Sequence, residues 1–357
     1  MTARRSTGQL RADALAIWNA AVDAVRSDRL VRDNVAVEGD ELRIGDEYLP
    51  WASIRHIGVV GAGKAGAGMA AGLCQALGEK LLREKRVTGW LNVPADCVTP
   101  ESVREAGPIQ LHAARPAGKN EPTTEGVAGA EKILAIAESL GPDDLCLCLI
   151  SGGGSALLPA PAVGVSLADK QALTRHLSAA GANIEQLNTV RKQLSRIKGG
   201  GLARACRAGR LIALVISDVL GDPLEIIASG PTVQDHSTPR DALAVLEKFA
   251  AIEVAPAATS FLNSRLAANR AAQPAAQVTN LIIGNNAVAV DTGGIEAERR
   301  GYSHAMLAAR SLEGAAEEIG VHLANLAARM RVEAGPDCLI TGGEPTVHLA
   351  PAEIRGR

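Results

Sequence analysis

Short apolar segments that run into a glycine- or aspartate-rich turn, and then into a helical pattern, recur along this chain. Residues 57–60 run into GAGKAGAG at 61–68, and an alanine-rich helical pattern continues to about residue 82. Residues 145–150 run into SGGGSA, and residues 211–217 run into DVLGD. Strand, turn and helix in this order form the unit of a parallel sheet covered by helices. The sequence therefore predicts an α/β fold built on a Rossmann-like parallel sheet.

The remaining patterns extend this alternation and divide the chain. With 357 residues, two domains are favoured over one. Apolar residues at spacings of three and four predict one amphipathic helix over 8–34, and a hairpin-like passage follows at 38–50. The other predicted elements are a strand at 88–93, helices at 123–140, 167–181, 239–250, 286–300 and 313–332, and strands at 281–284, 304–308 and 338–344. Residues 255–277 are predicted to form a helix and a linker.

We therefore expect a Rossmann-like N-terminal domain at 1–277 and a smaller α/β C-terminal domain at 278–357.

Charge and composition exclude several partners. The chain carries 37 basic and 39 acidic residues, so its net charge is −2. It therefore lacks the excess of positive charge that would attract DNA or an anionic membrane surface. Aromatic residues are only 2% of the chain, so base stacking on nucleic acid is not expected. Because it lacks a run of 18 apolar residues and a signal-peptide core, we expect a cytoplasmic protein. A homodimer is left open.

The segment 188–201, NTVRKQLSRIKGGG, combines positive charge with glycine. Its four cations occupy eight positions: Arg191, Lys192, Arg196 and Lys198. Cationic side chains next to bare backbone are typical of a site for an anion. The alternative is a helix with a solvated basic face, because Arg191, Ser195 and Lys198 follow one another at helical spacing. Three other segments are rich in glycine: GAGKAGAG at 61–68, SGGGS at 151–155 and TGGE at 341–344. Together with 188–201, these segments indicate a phosphate-handling enzyme.

The GAGKAGAG turn contains the GxGxxG pattern of dinucleotide sites, at Gly61, Gly63 and Gly66. Two features count against NAD: Lys64 lies inside the turn, and no isolated acidic residue ends a strand about 20 residues later. The turn is also not a phosphate-binding P-loop, because no serine or threonine follows Lys64. Either it is a tight turn with a solvated lysine, or Lys64 meets a phosphate or carboxylate at a helix N-terminus.

The other turns offer backbone donors and carboxylates. In SGGGS, three glycines between Ser151 and Ser155 let backbone N–H groups face a ligand, and the pattern is not that of a serine-hydrolase elbow. In SDVLGDP, Asp218 and Asp222 follow a strand, as carboxylates that hold Mg²⁺ beside phosphates do. The alternative for these two is a capped turn. Glu344 in TGGE could contact metal, ribose or a lysine, and a surface turn is an equal alternative.

Five motifs, in order, resemble the MOFRL-type glycerate 2-kinases, whose relatives are often labelled hydroxypyruvate reductases. They are GAGKAGAGMA, SGGGSALLPAPA, NTVRKQLSRIKGGGLA, VISDVLGDPLEIIASGPT and LITGGEPTVHL. The resemblance implies ATP-dependent phosphorylation of D-glycerate at its C2 hydroxyl, giving 2-phosphoglycerate. It also implies ATP and Mg²⁺ as cofactors and small molecules as partners.

Carried over residue by residue, the resemblance assigns roles to the motif positions. Lys64 matches the family's active-site lysine, and Arg191 and Asp218 complete the expected catalytic set. The expected metal ligands are Asp218 and Asp222. The expected substrate- and phosphate-binding residues are Gly61, Gly63, Ser151, Gly152, Gly153, Gly154, Ser155, Asn188, Lys198 and Glu344. The general base is not assigned, with Asp218 and Glu344 as candidates.

The sequence departs from the family at its end. In relatives the segment after RGR continues into a turn with a further proposed catalytic arginine, and Arg355 and Arg357 precede that position. We therefore expect a truncated C-terminal domain, poor stability of residues 1–357 alone and weak or absent activity. Two alternative functions stay open: a nicotinamide-dependent hydroxypyruvate reductase, and a non-catalytic protein that binds a nucleotide or sugar acid.

Overall fold

The computed structural model describes residues 5–266, 273–309 and 314–347. The strands within these ranges are β1 Val35–Glu38, β2 Glu41–Ile44, β3 Glu47–Pro50, β4 Ile57–Ala62, β5 Thr88–Pro94, β6 Ile109–Arg115, β7 Leu145–Ile150, β8 Arg210–Ile216, β9 Gln277–Gly284, β10 His304–Ala308 and β11 Cys338–Gly342. The helices are α1 Thr7–Ala24, α2 Ser27–Asn34, α3 Gly66–Glu84, α4 Pro100–Glu105, α5 Thr124–Ser139, α6 Gly154–Leu157, α7 Leu167–Ala179, α8 Ile184–Gln193, α9 Gly201–Ala205, α10 Pro239–Lys248, α11 Pro256–Arg265, α12 Asn286–Arg299 and α13 Ala316–Met330.

The described residues group into two compact units. The sheet unit comprises residues 30–216 and 223–283, and the smaller unit comprises residues 1–29, 217–222 and 284–357. The predicted domain boundary between residues 277 and 278 stays a prediction, and the strand β9 spans this point. None of the helices in the described part of the chain is long and apolar enough to cross a membrane.

A six-stranded sheet in the order β6-β5-β4-β7-β8-β9 forms the core of the sheet unit. Every residue of β4 and β7 is buried, as expected for central parallel strands covered on both faces. The parallel register pairs Ala62 with Ile150 and Ile150 with Val215, so the strands β4, β7 and β8 end together. The glycine turns that follow β4 and β7 therefore emerge side by side, and the predicted Rossmann-like parallel sheet is confirmed.

The predicted single helix over 8–34 is wrong, because the chain forms α1 and α2 with a break at Val25. The N–H of Val25 bonds back to the carbonyls of Val22 and Asp23, which closes the last turn of α1. The buried residues also differ: α1 packs against α12 in the smaller unit, whereas α2 buries Leu30 and Val31 in the sheet unit. The apolar repeat was continuous, but it served two different cores.

One other sequence expectation needs correction, and one is confirmed and extended. The strand at 281–284, expected to open the second block, belongs to β9, which bonds to β8 at the edge of the large sheet; the N–H of Gln277 donates to the carbonyl of Gly209 at 3.0 Å. The hairpin-like passage at 38–50 is confirmed by the antiparallel pair β2 and β3, and β1 adds a third strand to it. An alanine-rich run with Asn, Gln and Pro before β9 resembled a linker, so the sequence did not show that β9 continues the large sheet.

The smaller unit contains the α1–α12 pair, the parallel strands β10 and β11, and α13. Its small core is formed by Ile17, Ala297 and Tyr302. Asp13 of α1 accepts hydrogen bonds from the Tyr302 hydroxyl at 2.8 Å and from Arg300 at 2.9 Å. These bonds tie the beginning of the chain to the segment that follows α12.

Candidate active site

The turns after β4 and β7 are joined to each other by backbone bonds. The N–H of Lys64 donates to the carbonyl of Gly152 at 2.9 Å, and the N–H of Ala65 donates to Ser151 Oγ at 3.0 Å. Gly63 has a φ of +154°, and a Cβ there would overlap Ser151 Oγ. Glycine is therefore required for close approach of the two turns, which fixes the backbone of Lys64 while its side chain is exposed.

The SGGGS loop turns sharply into the short helix α6. Gly153 takes a left-handed conformation with φ +77°, and a Cβ on Gly154 would lie 2.8 Å from Ala228 Cβ. The N–H of Gly154 is bonded to the carbonyl of Ser151 at 3.2 Å, so this donor of the loop is already used. The loop thus brings Ser155 to the start of α6 and leaves it facing polar side chains from three other segments.

Ser155 is the centre of a polar cluster. Its Oγ accepts hydrogen bonds from Arg191 Nη2 at 2.8 Å and Lys198 Nζ at 3.1 Å, and it lies 2.9 Å from Ser229 Oγ. Lys198 Nζ also donates to the carbonyl of Ser155 at 2.7 Å, and Ser229 Oγ donates to Asn188 Oδ1 at 3.4 Å. The structure thus brings together four residues predicted from the sequence and adds Ser229. We call these five residues the Ser155 cluster: Ser155, Asn188, Arg191, Lys198 and Ser229.

Positive charge is concentrated and desolvated in the Ser155 cluster. Lys198 is only 3% exposed. Burial lowers the pKa of Arg191, and burial, aided by Arg191 and Lys170, holds the pKa of Lys198 well below its usual range. Within the described ranges, neither Arg191 nor Lys198 forms an ion pair with a carboxylate. Buried charges of one sign without a counter-ion favour binding of an anion.

Lys170 is a third buried cation beside these two, and the sequence interpretation missed it. Its Nζ donates to the carbonyls of Leu194 at 2.8 Å and Arg191 at 3.3 Å, at the C-terminal end of α8. Burial, with a smaller effect of Arg191, lowers the pKa of Lys170 to about 7. The signal in the sequence was a lysine on an apolar stripe, because Lys170, Leu173 and Leu177 are all buried on α7.

The four cations of the basic segment separate into two pairs. Lys192 lies 3.7 Å from Asp235, and Arg196 forms an ion pair with Glu131. These two cations are therefore neutralised locally, whereas Arg191 and Lys198 face Ser155. The two cations that were predicted as site residues are thus the two without a carboxylate partner in the described ranges, and the anion site itself stays a prediction.

The triple glycine has a different use from the one expected. The N–H groups of Gly199 and Gly200 donate to the carbonyls of Ser229 and Gly230, and that of Gly201 donates to Lys198. A Cβ on Gly201 would overlap the carbonyl oxygen of Arg196. These glycines therefore allow two loops to pack closely, and their amides are not available to a ligand.

The alternative for this segment, a helix with a solvated basic face that includes Arg191, Ser195 and Lys198, is excluded by the structure. The helix α8 ends at Gln193, and Ser195 lies in the following turn, where its Oγ accepts hydrogen bonds from the N–H groups of Ile197 and Lys198. Lys198 therefore reaches Ser155 from a turn, not from a continued helix. The turn is set by the capping of α8 by Lys170, which helical spacing alone does not reveal.

Ser229 lies in an unusual backbone segment. Ala228, Ser229 and Gly230 have φ values of +51°, +62° and +60°, and left-handed conformations are uncommon for residues other than glycine. Ser229 is fully buried. Strain of this kind persists only where the surroundings hold it, commonly at functional sites. The sequence contained this segment at the end of the motif VISDVLGDPLEIIASGPT, but no role was assigned to Ser229.

The remaining predicted residues, Asp218, Asp222 and Glu344, belong to the smaller unit. Asp222 accepts a hydrogen bond from Asn285 Nδ2 at 2.6 Å, and Asn285 in turn caps α12 through the N–H of Val288. Asp218 and Glu344 are exposed. The searched part of the chain contains no group of three or more His, Cys, Asp or Glu side chains that could enclose a metal.

A cavity of about 810 Å³ also lies in the sheet unit. Its lining includes Lys192, Gly200, Arg204, Asp235 and Thr238, rather than Lys64 or the Ser155 cluster. Arg204 there donates to the carbonyl of Gly199 at 2.9 Å, and Lys192 is paired with Asp235. Arg204, Arg240 and Arg265 also line the cavity, so it has basic character of its own. The Ser155 cluster is the better candidate because it gathers residues of the glycine loop and of the basic segment.

Known proteins resemble this chain over most of its length. A family described as a domain of unknown function (DUF4147) matches residues 13–263. A glycerate kinase of Danio rerio is 34% identical over 400 residues, covering 98% of this chain and 78% of the relative. A putative hydroxypyruvate reductase of Agrobacterium vitis is 37% identical over 303 residues, covering 84% of this chain and 74% of the relative.

The similarity extends to a solved structure. The crystal structure of a glycerate kinase from Thermotoga maritima matches with a TM-score of 0.78 and 31% identity, covering 97% of this chain and 77% of that chain. The glycine turns and the basic segment that build the Ser155 cluster are the motifs on which the resemblance was based. The chain belongs to the glycerate kinase family.

Proposed function

We propose that this protein transfers a phosphoryl group from ATP to D-glycerate. The observation that carries the proposal is the pair of desolvated cations, Arg191 and Lys198, on Ser155 beside the glycine turn of Lys64. Both substrates are anions, and the positive cluster lacks a carboxylate partner among the described residues. The glycerate kinases among the relatives support the same activity.

Phosphoryl transfer requires alignment and neutralisation of charge more than covalent participation by the protein. In our proposal, Arg191 and Lys198 bind oxygen atoms of an anionic group, and Ser155 orients both cations. Lys64, fixed at its backbone and exposed at its side chain, neutralises the group in transfer or grips the glycerate carboxylate. The SGGGS turn, with Ser151 and the three glycines, approaches the nucleotide phosphates. Transfer to the C2 hydroxyl, giving 2-phosphoglycerate, is the outcome that we propose from the family resemblance.

The side chains present are compatible with Mg²⁺. Mg²⁺ in kinases is usually held by one or two carboxylates together with substrate phosphates, so a cage of three protein ligands is not required. Asp218 is exposed, and one oxygen of Asp222 is oriented by Asn285. We propose that these two carboxylates hold the ion, which would supply charge neutralisation on phosphate oxygens. The roles of Glu344 and the cytoplasmic location stay predictions.

The test is ADP release by the purified protein with ATP, Mg²⁺ and D-glycerate, followed by identification of the phosphorylated position. ADP release that depends on D-glycerate and yields the 2-phosphate supports the proposal. Consumption of NADH with hydroxypyruvate, without ADP release, would instead support the reductase named among the relatives. ATP binding without turnover would support a non-catalytic binding protein.

A further inference from the structure

Arg115, at the end of β6, is a buried cation that none of the sequence motifs assigned. Its side chain is 4% exposed, and its Nε is buried without a hydrogen-bond partner. Over the described residues, no carboxylate lies within ion-pair distance of the Arg115 guanidinium, and none of its nitrogens donates a hydrogen bond. A guanidinium is charged at any physiological pH and has five donors, so an unpaired buried one is costly to keep.

The guanidinium is directed at the glycine turn of the proposed site. A Cβ on Gly153 would lie 3.2 Å from Arg115 Nη2 and 3.2 Å from Cε of Lys64. The two cationic side chains therefore meet over the same face of one glycine. Cys97 Sγ donates to the carbonyl of Lys64 at 3.4 Å. Burial and Asp96 raise the pKa of this thiol, and the charge of Arg115 acts in the opposite direction.

The surrounding groups do not explain why Arg115 is there. Asp96, which like Arg115 acts on the Cys97 thiol, is exposed, and it forms no ion pair with Arg115 among the described residues. The partner of Lys64 is also not a carboxylate in the described ranges, since only its backbone is bonded. Two cations next to a glycine turn, one of them buried and unsatisfied, match what an incoming oxyanion would need.

We propose that Arg115 is a further substrate-binding residue, which with Lys64 forms a two-cation clamp for an oxyanion above Gly153. The guanidinium presents two parallel N–H donors to two oxygens of a phosphate or carboxylate, and Lys64 adds a mobile point charge. The oxyanion is either a phosphate of ATP or the carboxylate of D-glycerate. The proposal rests on the proposed function for the identity of the anion, and on the geometry alone for the presence of an anion site.

The test uses the full chain with Arg115→Met, Arg115→Lys and, as a control, Arg83→Met. Arg83 lies on α3 in an exposed pair with Glu79, so its loss removes a cation without touching the turn. Binding of inorganic phosphate, ATP and D-glycerate is measured by calorimetry, and KM for ATP and for D-glycerate is measured separately. Thermal unfolding is recorded without ligand.

We expect Arg115→Met to weaken binding of one of the two substrates by about tenfold to a hundredfold, the range for loss of a charge-assisted pair. The substrate whose KM rises identifies the anion. Arg115→Lys should lose at least a part of this affinity because the fork is absent, and Arg83→Met should bind as the wild type. The ligand-free Met variant should unfold at the same or a higher temperature, because an unsatisfied buried charge is removed.

Wild-type affinity for phosphate, ATP and D-glycerate in both Arg115 variants would overturn the proposal. So would a Met variant that unfolds at a lower temperature while it binds every ligand normally, since Arg115 would then be structural. If the wild type releases no ADP but binds phosphate through Arg115, the clamp stands and the proposed kinase function fails. If ADP release is normal in Arg115→Met at all substrate concentrations, the kinase stands and the clamp fails.

Discussion

At the scale of single residues, exposure separates lysines that can act on a ligand from lysines that hold the fold. Lys64 is exposed and, among the residues that the structure describes, bonded only through its backbone, whereas Lys170 is buried and caps α8. Sequence alone identified Lys64 through the glycine turn. It could not identify Lys170, because the carbonyls that this lysine caps belong to a helix end that only the folded chain defines.

Replacement of Lys64 by alanine should reduce turnover strongly and leave stability almost unchanged. The side chain adds charge at the turn but buries little surface, so we expect kcat to fall by about a hundredfold or more if it contacts the phosphoryl group. The check is steady-state kinetics beside thermal unfolding, with Lys80→Ala, an exposed lysine on α3, as the control. A folded variant with near-normal kcat would remove Lys64 from the chemistry.

Lys170 should make stability depend on pH in the alkaline range. Its pKa is lowered to about 7 in the fold, below its ordinary value of 10.5, so between these values the unfolded chain binds more protons. The free energy of unfolding should therefore rise as pH increases from about 7 towards 10. Arg191 and Lys198 face Lys170, and Lys198 titrates in the same direction.

The measurement is urea unfolding at pH 7 and pH 9 for the wild type and Lys170→Met. The gain in the free energy of unfolding should be larger in the wild type than in the variant. An equal gain would show that Lys170 is not held neutral by the fold. Anion binding should take up protons in the same range, since a bound anion restores the charge on these lysines.

At the scale of elements, the close approach of β4 and β7 creates the site. The two apolar runs ending in glycine predicted neighbouring strand ends, and Gly61, Gly63, Gly153 and Gly154 at this edge each have a steric or conformational reason. The end of α8 and the sheet position of β9 were not predictable. The end of α8 depends on Lys170, a capping residue from α7. The position of β9 depends on its pairing with β8, and the alanine-rich run before β9 resembled a linker.

Gly63→Ala should destabilise the sheet unit, since its Cβ would overlap Ser151 Oγ. We expect a loss of about 2 to 4 kcal/mol in the free energy of unfolding, in the range for overpacking combined with backbone strain. Gly164→Ala is the matched control: Gly164 has φ +82° and no neighbour within 4 Å of an added Cβ, so it carries strain without overlap. Equal losses in both variants would contradict the close packing of the two turns.

At the scale of the whole molecule, the predicted functional residues belong to both compact units. The sheet unit holds the cations and glycine turns, and the smaller unit holds the carboxylates Asp218, Asp222 and Glu344. The parallel sheet followed from the glycine and aspartate turns that end apolar strands, and the enzyme class followed from the family resemblance of five motifs in order. The composition of the units did not follow, since the smaller unit takes residues from three distant parts of the sequence.

Asp218→Asn should raise the Mg²⁺ concentration needed for half-maximal activity by about tenfold or more, if this carboxylate binds the metal. Its exposed side chain predicts little change in the unfolding temperature. The measurement is a Mg²⁺ titration of ADP release. Asp337→Asn is a control, as an exposed aspartate of the same unit with a structural bond to Ser303. An unchanged Mg²⁺ requirement would remove Asp218 from the metal site.

The interrupted composition of the smaller unit also has a consequence during synthesis. Helix α1 ends at Ala24, but its packing partner α12 begins only at Asn286. At ordinary elongation rates, about 260 residues take roughly 15 to 50 seconds, during which α1 has left the ribosome without its partner. Ile17 and Ala24, the residues of α1 that the fold buries, stay in contact with water or a chaperone throughout that interval. The first helix to be made is therefore among the last to be packed.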